Sequence, residues 1–308
     1  MNLDAQYADF KSRGGVIDLT NRVKLAFTGA DRVRYLNGQI TARLTGKAGV
    51  IPSCVTTAKG KLCADIFVST WDDFILLDAD PAVAATLPAR MEKYIVADDV
   101  AVTEVPEKGL IHCVGIEPAE IADLAPALPA NRFGIAGSDI KLLEPEVLPG
   151  VWEKLAGRFA VISEELAECL RIEAGIPRWG FDLDENTLPA EAGLDRTHVD
   201  FHKGCYIGQE VISRIKSVGH VNRTLRGFTT QERETLAAKS RIFAADEMDK
   251  EIGVITSIAN SPRLHRPIAL GYLRRGAPEF GLMATSIETP DAPVRVETVN
   301  LPFASERA

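Results

Sequence analysis

A change of hydrophobic period near residue 225 constrains this 308-residue chain more than any other feature. Before it, Ile207, Val211, Ile215 and Val218 recur at the spacing of an amphipathic helix, and Gly219 supplies a stop. Beyond it, short apolar runs such as 252–255 and 268–273 alternate with polar turns, the pattern of a small all-β barrel. The expected architecture is α+β, with a mixed region over 1–225 and a barrel over 226–308.

Within the mixed region, residues 23–27 predict a strand running into Gly29-Ala30-Asp31, with Asp31 placed to cap a helix that carries Val33, Leu36 and Ile40. Residues 54–57, the turn Lys59-Gly60-Lys61, and runs 62–70 and 74–78 predict a strand meander. Asp65 sits inside this otherwise apolar stretch. A helix is expected over 81–94, opened by Pro81, and further strands over 100–105 and 110–114. Residues 163–174 predict another helix: Ser163 caps it, Leu166, Leu170 and Ile172 form its apolar side, and Gly175 with Pro177 ends it.

Bulk properties exclude several classes. The first 15 residues mix Asp4, Asp9, Lys11 and Arg13 with scattered apolar residues and lack the apolar core of a signal peptide, and no run reaches transmembrane length. Five dispersed cysteines without a CxxC pair fit reduced thiols, so a cytoplasmic protein is expected. They offer no four-thiolate set for a resident iron–sulfur cluster, and no metal site is expected. A formal net charge of −8 opposes general binding to DNA. Residues 202–226 depart from that balance, with five cations (Lys203, Arg214, Lys216, Arg223, Arg226) against one acid, Glu210. Either an anion site or a solvated helix face accounts for them.

Two groups of residues carry chemistry. Lys203-Gly204-Cys205-Tyr206-Ile207-Gly208-Gln209-Glu210, followed by Arg214, places Cys205 at an expected helix N-terminus beside Lys203. Dipole and cation would both favour the thiolate, which makes Cys205 the candidate reactive cysteine, with Lys203 assisting. Downstream of the 163–174 helix, Trp179 and Glu191 lie in turn-rich sequence. An indole face and a carboxylate suit a flat heterocycle that stacks and donates two parallel hydrogen bonds, as a pterin does. Equally, Trp179 could be core, and Glu191 could cap a helix or pair with an arginine.

The 203–210 segment resembles the KGCYxGQE signature of the YgfZ branch of the glycine-cleavage T-protein-like family. Further resemblance covers nearly the whole chain: Gly29-Ala30-Asp31, Leu36-Asn37-Gly38-Gln39-Ile40-Thr41, Lys59-Gly60-Lys61 through Asp65, Arg171 to Gly175, Glu191, Gly253 to Ser257, Ser261-Pro262 and Ile268 to Gly271. It implies three subdomains in a ring around a channel that holds tetrahydrofolate or a one-carbon-substituted reduced folate. By the same resemblance Asp65 lies near the folate nitrogens that accept the one-carbon unit, Glu191 recognises the pterin, and Trp179 stands where T-proteins carry tyrosine. Arg171, Tyr206 and Arg214 join the expected folate-binding set.

One departure bears on activity. T-proteins carry an aspartate-phenylalanine pair where this chain has Cys205-Tyr206. The resemblance therefore implies a folate-binding accessory protein for [4Fe–4S] enzymes, including radical enzymes of tRNA modification, with iron–sulfur proteins as partners and the tRNA link indirect. A folate-dependent aminomethyl or other one-carbon transferase, with Asp65 as its polar catalytic group, is the alternative. Direct tRNA binding through the basic stretch is a third.

Overall fold

A computed structural model describes residues 2–45, 49–230, 236–286 and 292–303. Helix α1 (Leu3–Arg13) and strand β1 (Gly15–Asp18) lead into β2 (Val23–Thr28), α2 (Arg32–Gln39), β3 (Val50–Thr56), β4 (Leu62–Thr70), β5 (Ile75–Ala79), α3 (Leu87–Glu92) and β6 (Ala101–Glu104). Then come β7 (Gly109–Val114), β8 (Leu128–Ala130), β9 (Gly137–Leu143), α4 (Leu148–Arg158), β10 (Ala160–Val161), α5 (Glu164–Glu173) and α6 (Gln209–Ser217). The chain ends in β11 (Arg223–Thr229), β12 (Arg241–Ala244), β13 (Glu247–Ser261), β14 (Arg266–Arg274), β15 (Leu282–Thr285) and β16 (Val294–Val299).

Three sheets result. The first is antiparallel in the order β3-β4-β5-β2-β6. Period-two alternation in β4 sends Ala64, Ile66 and Val68 into a core with Leu25, Phe27, Ile75 and Leu77, covered by Tyr35 and Leu36 of α2 and by Leu87 and Met91 of α3. Asp65 and Phe67 therefore face the other way. Cys54 is the Cα partner of Asp65, and Asp78 that of Phe67, so all four share the uncovered face.

The second sheet, β10-β1-β7-β9-β8, borrows β1 from the start of the chain. Its Ile111, Cys113 and Ile140 pack under Val151 and Leu155 of α4. Opposite faces alternate again, so His112 and its partner Asp139 point away from that core, towards the first sheet. The third sheet closes into a barrel, β11-β14-β13-β12-β15-β16, filled by Phe228, Ile242, Ile255, Ala269 and Leu282 among others. Leu225, Ile268 and Leu270 join Ile172 of α5 in a separate cluster outside that interior. Among the described residues no helix is long and apolar enough to cross a membrane.

Three expected elements are corrected. The 81–94 helix is two pieces, a 3-10 turn over Pro81–Val83 and α3, because Pro88 in the first turn of α3 lacks an N–H and would clash with the carbonyl of a preceding turn. Asp31 takes the cap position of α2 without making the capping bond. Its carboxylate accepts instead from the Asp99 amide at 2.9 Å and pairs with Arg34. The helix expected from Gly204 starts only at Gln209, because Gly208 has φ +90 and closes off the helix there. By contrast α5 has the expected Ser163 cap, its hydroxyl accepting from Leu166 N at 3.2 Å.

Candidate functional site

Asp65 occupies the uncovered face of β4 with its Oδ1 buried and without a hydrogen-bond partner. Burial pushes its carboxyl up to about 6, against the lowering effect of Arg22, while Asp80 and Asp78 add to the rise. Cys54 beside it is fully buried, and burial followed by the Asp65 charge drives its thiol far above the ordinary range. Trp179 is half-buried and packs against Cys54, Leu62, Leu183, Ala192 and Leu194.

Behind Asp65 lies a buried charge cluster joining the first two sheets. Arg132 binds Asp78 through Nη1 at 2.9 Å and Nη2 at 2.7 Å, and binds Asp139 through Nε at 3.0 Å and Nη2 at 2.8 Å. Lys141 Nζ donates to Asp78 at 2.8 Å, Arg22 Nε to Asp78 at 2.6 Å, and His112 Nδ1 lies 2.7 Å from Asp139. Burial alone would raise both carboxyls, but Arg132 and Lys141, with Arg22 at Asp78, outweigh it and hold both below the usual range. Burial lowers His112, so it is neutral at physiological pH, and its Nε2 is buried without a partner. The cluster holds three cations (Arg22, Arg132, Lys141) against Asp78 and Asp139, and of these Arg22 is the one that favours the charge on Asp65.

The 203–208 segment is pinned onto the first sheet. Lys203 Nζ turns inward to the carbonyls of Ile40 (2.8 Å) and Ala42 (2.6 Å), and burial lowers it to about 8. Tyr206 is buried under Lys203, its hydroxyl has no partner, and burial pushes the phenol up to about 12, with Cys54 and Asp200 adding to the rise. Ile207 O accepts from Thr56 Oγ1 at 2.6 Å and Ile207 N donates to Gly38 O at 3.1 Å. A Cβ on Gly208 would lie 2.6 Å from Thr57 O, so only glycine lets the two backbones meet. Cys205 alone of these side chains is exposed at the surface with a functional group.

That geometry revises the basis on which Cys205 stands out. It lies upstream of the first residue of α6, away from the helix dipole, and the Lys203 ammonium is committed to carbonyls. What distinguishes it is access: Cys54, Cys113 and Cys169 are buried and Cys63 is half-buried. Arg214 is exposed on α6.

Glu191 is buried, and its Oε2 accepts from Arg223 Nε at 3.2 Å and from Leu188 N at 3.3 Å. Of the local roles anticipated for it, the arginine partner is present, and in place of a helix cap the same oxygen closes the turn back to Leu188. Arg171 is fully committed: Nη1 donates to Asp182 (2.9 Å) and Ile176 O (3.0 Å), Nη2 to Ser257 Oγ (2.7 Å), and Nε to Glu168 (2.8 Å). It ties α5 to the barrel strand β13, with its side-chain donors engaged within the protein.

The stretch 223–304 matches the glycine cleavage T-protein C-terminal barrel domain. Aminomethyltransferase T of the Bartonella henselae glycine cleavage system superposes with a TM-score of 0.86 over 99% of this chain and 90% of that chain, at 20% identity. This is the aminomethyltransferase T-protein fold. Chains similar to it in sequence include the aminomethyltransferase of Streptomyces coelicolor, 27% identical over 97% of this chain and 88% of the relative. The tRNA-modifying protein YgfZ of Yersinia enterocolitica is also 27% identical, over 68% of this chain and 69% of the relative. Within the T-protein fold, Asp65 and Cys54 come from the first sheet, whereas Trp179, Glu191 and Tyr206 come from the long connection between α5 and the barrel.

The charge cluster escaped sequence reasoning. Its signal was a titratable residue inside an apolar strand, His112 in Leu110-Ile111-His112-Cys113-Val114 and Asp78 after Ile75-Leu76-Leu77. The same signal picked out Asp65.

Proposed function

We propose that the protein binds a reduced folate, tetrahydrofolate or a one-carbon-substituted form, on the face that carries Asp65, and supports assembly or repair of [4Fe–4S] enzymes instead of transferring aminomethyl groups. The observation that carries this is Cys205: a segment whose other functional groups turn inward holds one thiol outward, where T-proteins have an aspartate. A thiol at the surface can meet the iron or sulfur of another protein's cluster; a buried one cannot. Client iron–sulfur proteins are then the partners, and the link to tRNA runs through the radical enzymes among them.

Trp179 stacks on the pterin and Glu191 receives its amine edge. With Oε2 held by Arg223 and Leu188 N, Oε1 is the oxygen left for the ligand. Tyr206 and Arg214 contribute a buried hydroxyl and a surface cation respectively. The transferase alternative is favoured by similarity to aminomethyltransferases over almost the whole chain. It makes Asp65, titrating near neutrality, the acid–base group.

Calorimetry with tetrahydrofolate, scored in parallel for turnover with an aminomethyl donor, separates the two. Binding without transfer is expected, and Glu191→Ala is expected to cost about 1–3 kcal/mol of binding by leaving ligand donors unpaired. In a strain lacking its own homologue, Cys205→Ser should keep folate binding and lose support of a cluster-dependent enzyme under oxidative stress. Full rescue by Cys205→Ser together with measurable transfer by the wild type would refute the accessory role.

A further inference from the structure

Arg22 and Asp65 each keep one buried atom without a partner, the donor Nη2 and the acceptor Oδ1. Their placement follows from the sheet. Asp78 faces Phe67 across β4 and β5, and Arg22, fixed through Nε to Asp78 at 2.6 Å, lies over the Phe67 ring at 5.8 Å. Asp65 is two residues from Phe67 on the same face of β4, so the guanidinium and the carboxylate are neighbours. They make neither a hydrogen bond nor an ion pair with each other, although the two atoms are buried and the groups are of opposite charge. A desolvated donor and a desolvated acceptor left unpaired on neighbouring side chains are unfavourable, and favour a group that satisfies both.

We propose that Arg22 and Asp65 form a two-point station that holds one ligand group through Nη2 donating and Oδ1 accepting, and that the group is an amide-type edge, an N–H beside a carbonyl or ring nitrogen. A ligand offering two acceptors would leave Nη2 satisfied and repel Oδ1; one offering two donors would do the reverse. The inference rests on the folate assignment above and deepens it, since it names the chemistry of the ligand at Asp65 and gives Arg22 a binding role. The carboxylate at the station is ionised above about pH 6: Arg22 from the loop before β2 favours the charge, Asp78 in β5 and Asp80 just after it oppose it, Cys54 of β3 lies across from it, and Arg132 and Lys141 are bound to Asp78. Arg22 is the group that lowers the carboxyl most, so its loss should let burial and the two neighbouring aspartates raise it further.

The test uses the full chain and two readouts. In the ligand-free protein, carbon-detected NMR follows the Asp65 carboxyl through its titration. Arg22→Met should move the midpoint to higher pH, and an unchanged midpoint overturns the pairing. Because Arg22 also anchors Asp78, Arg22→Lys serves as the second variant: it keeps the cation beside Asp78 and removes Nη2. Isocytosine, a small heterocycle with an N–H beside a carbonyl, should shift the Asp65 resonance in the wild type and not in Arg22→Lys. Equal shifts in both would mean that the heterocycle meets Asp65 without Nη2, and the station fails. In calorimetry, Arg22→Lys should lose at least about tenfold in tetrahydrofolate affinity with an unchanged circular dichroism spectrum. Wild-type affinity in Arg22→Lys, alongside a loss in Glu191→Ala, would sink the station and leave the folate assignment standing. Wild type that takes isocytosine at Asp65 but no folate would do the opposite.

Discussion

Replacing Arg132 by methionine tests whether the buried charge cluster is held by the guanidinium. Methionine fills much of the same volume and removes the hydrogen bonds to Asp78 and Asp139. Breaking one partner out of a buried ionic network typically costs about 3–5 kcal/mol, because charge is left uncompensated in a desolvated place. Here the lower end applies, since Asp78 keeps Arg22 and Lys141, and Asp139 keeps His112. About 3 kcal/mol shrinks the folded-to-unfolded ratio roughly a hundredfold. The sign with pH follows from the depressed carboxyls. Their contribution is present above the ordinary aspartate range and is lost as pH falls below it toward the folded values, so the gap between wild type and variant is full at pH 7.5 and narrows at pH 3.5. Urea denaturation at both values measures it. A difference under about 1 kcal/mol at pH 7.5, or one that does not narrow in acid, would refute the account of this cluster.

Limited iodoacetamide labelling with peptide mapping should modify Cys205 first, since the other four thiols are buried or half-buried and burial raises Cys54, Cys63, Cys113 and Cys169. Prior labelling of any of those four in the folded protein would contradict the placement. Asp65→Asn should stabilise the ligand-free protein at pH 7.5, by up to about 3 kcal/mol, because the fold raises this carboxyl to about 6 and must hold a charge it disfavours at higher pH. The gain should vanish near pH 3, where folded and unfolded forms are both largely protonated, and a gain of equal size at both pH values in chemical denaturation would show that charge is not its cause.

What the sequence disclosed depended on whether the signal was local. Ser163, Gly175 and the Leu166-Leu170-Ile172 spacing sit within one helix, and α5 follows them closely. The barrel was legible because period-two runs and turns report on their own strands. Pro88 shows a local signal overlooked: one imino acid divides what the apolar spacing presents as a single helix. Cys205 was identified by a motif whose physical meaning differed from the expected one. Lys203 fixes the segment to the carbonyls that follow α2, Gly208 lets it meet the end of β3 and the turn after it, and no spacing rule distinguishes an anchoring lysine from an activating one. The pairing of Asp78 with Arg132 and Lys141 was invisible, because residues 54 and 63 positions apart neutralise each other only after two sheets have met.

The placement of β1 has a consequence for how the chain is made. Gly15–Asp18 pairs with Gly109–Val114, although every strand between them, from Val23 to Glu104, belongs to another sheet. During synthesis the first strand emerges long before its partner, and the whole of the first sheet can assemble in the interval. At roughly 5–20 residues per second the early segment waits several seconds with its hydrogen-bonding edge unpaired. The second sheet then closes around a finished neighbour, a long-range step of the kind that slows folding. The polypeptide thus stitches its second unit shut across its first, so the second cannot be cut out as a contiguous piece of the gene without carrying the whole of the first sheet with it.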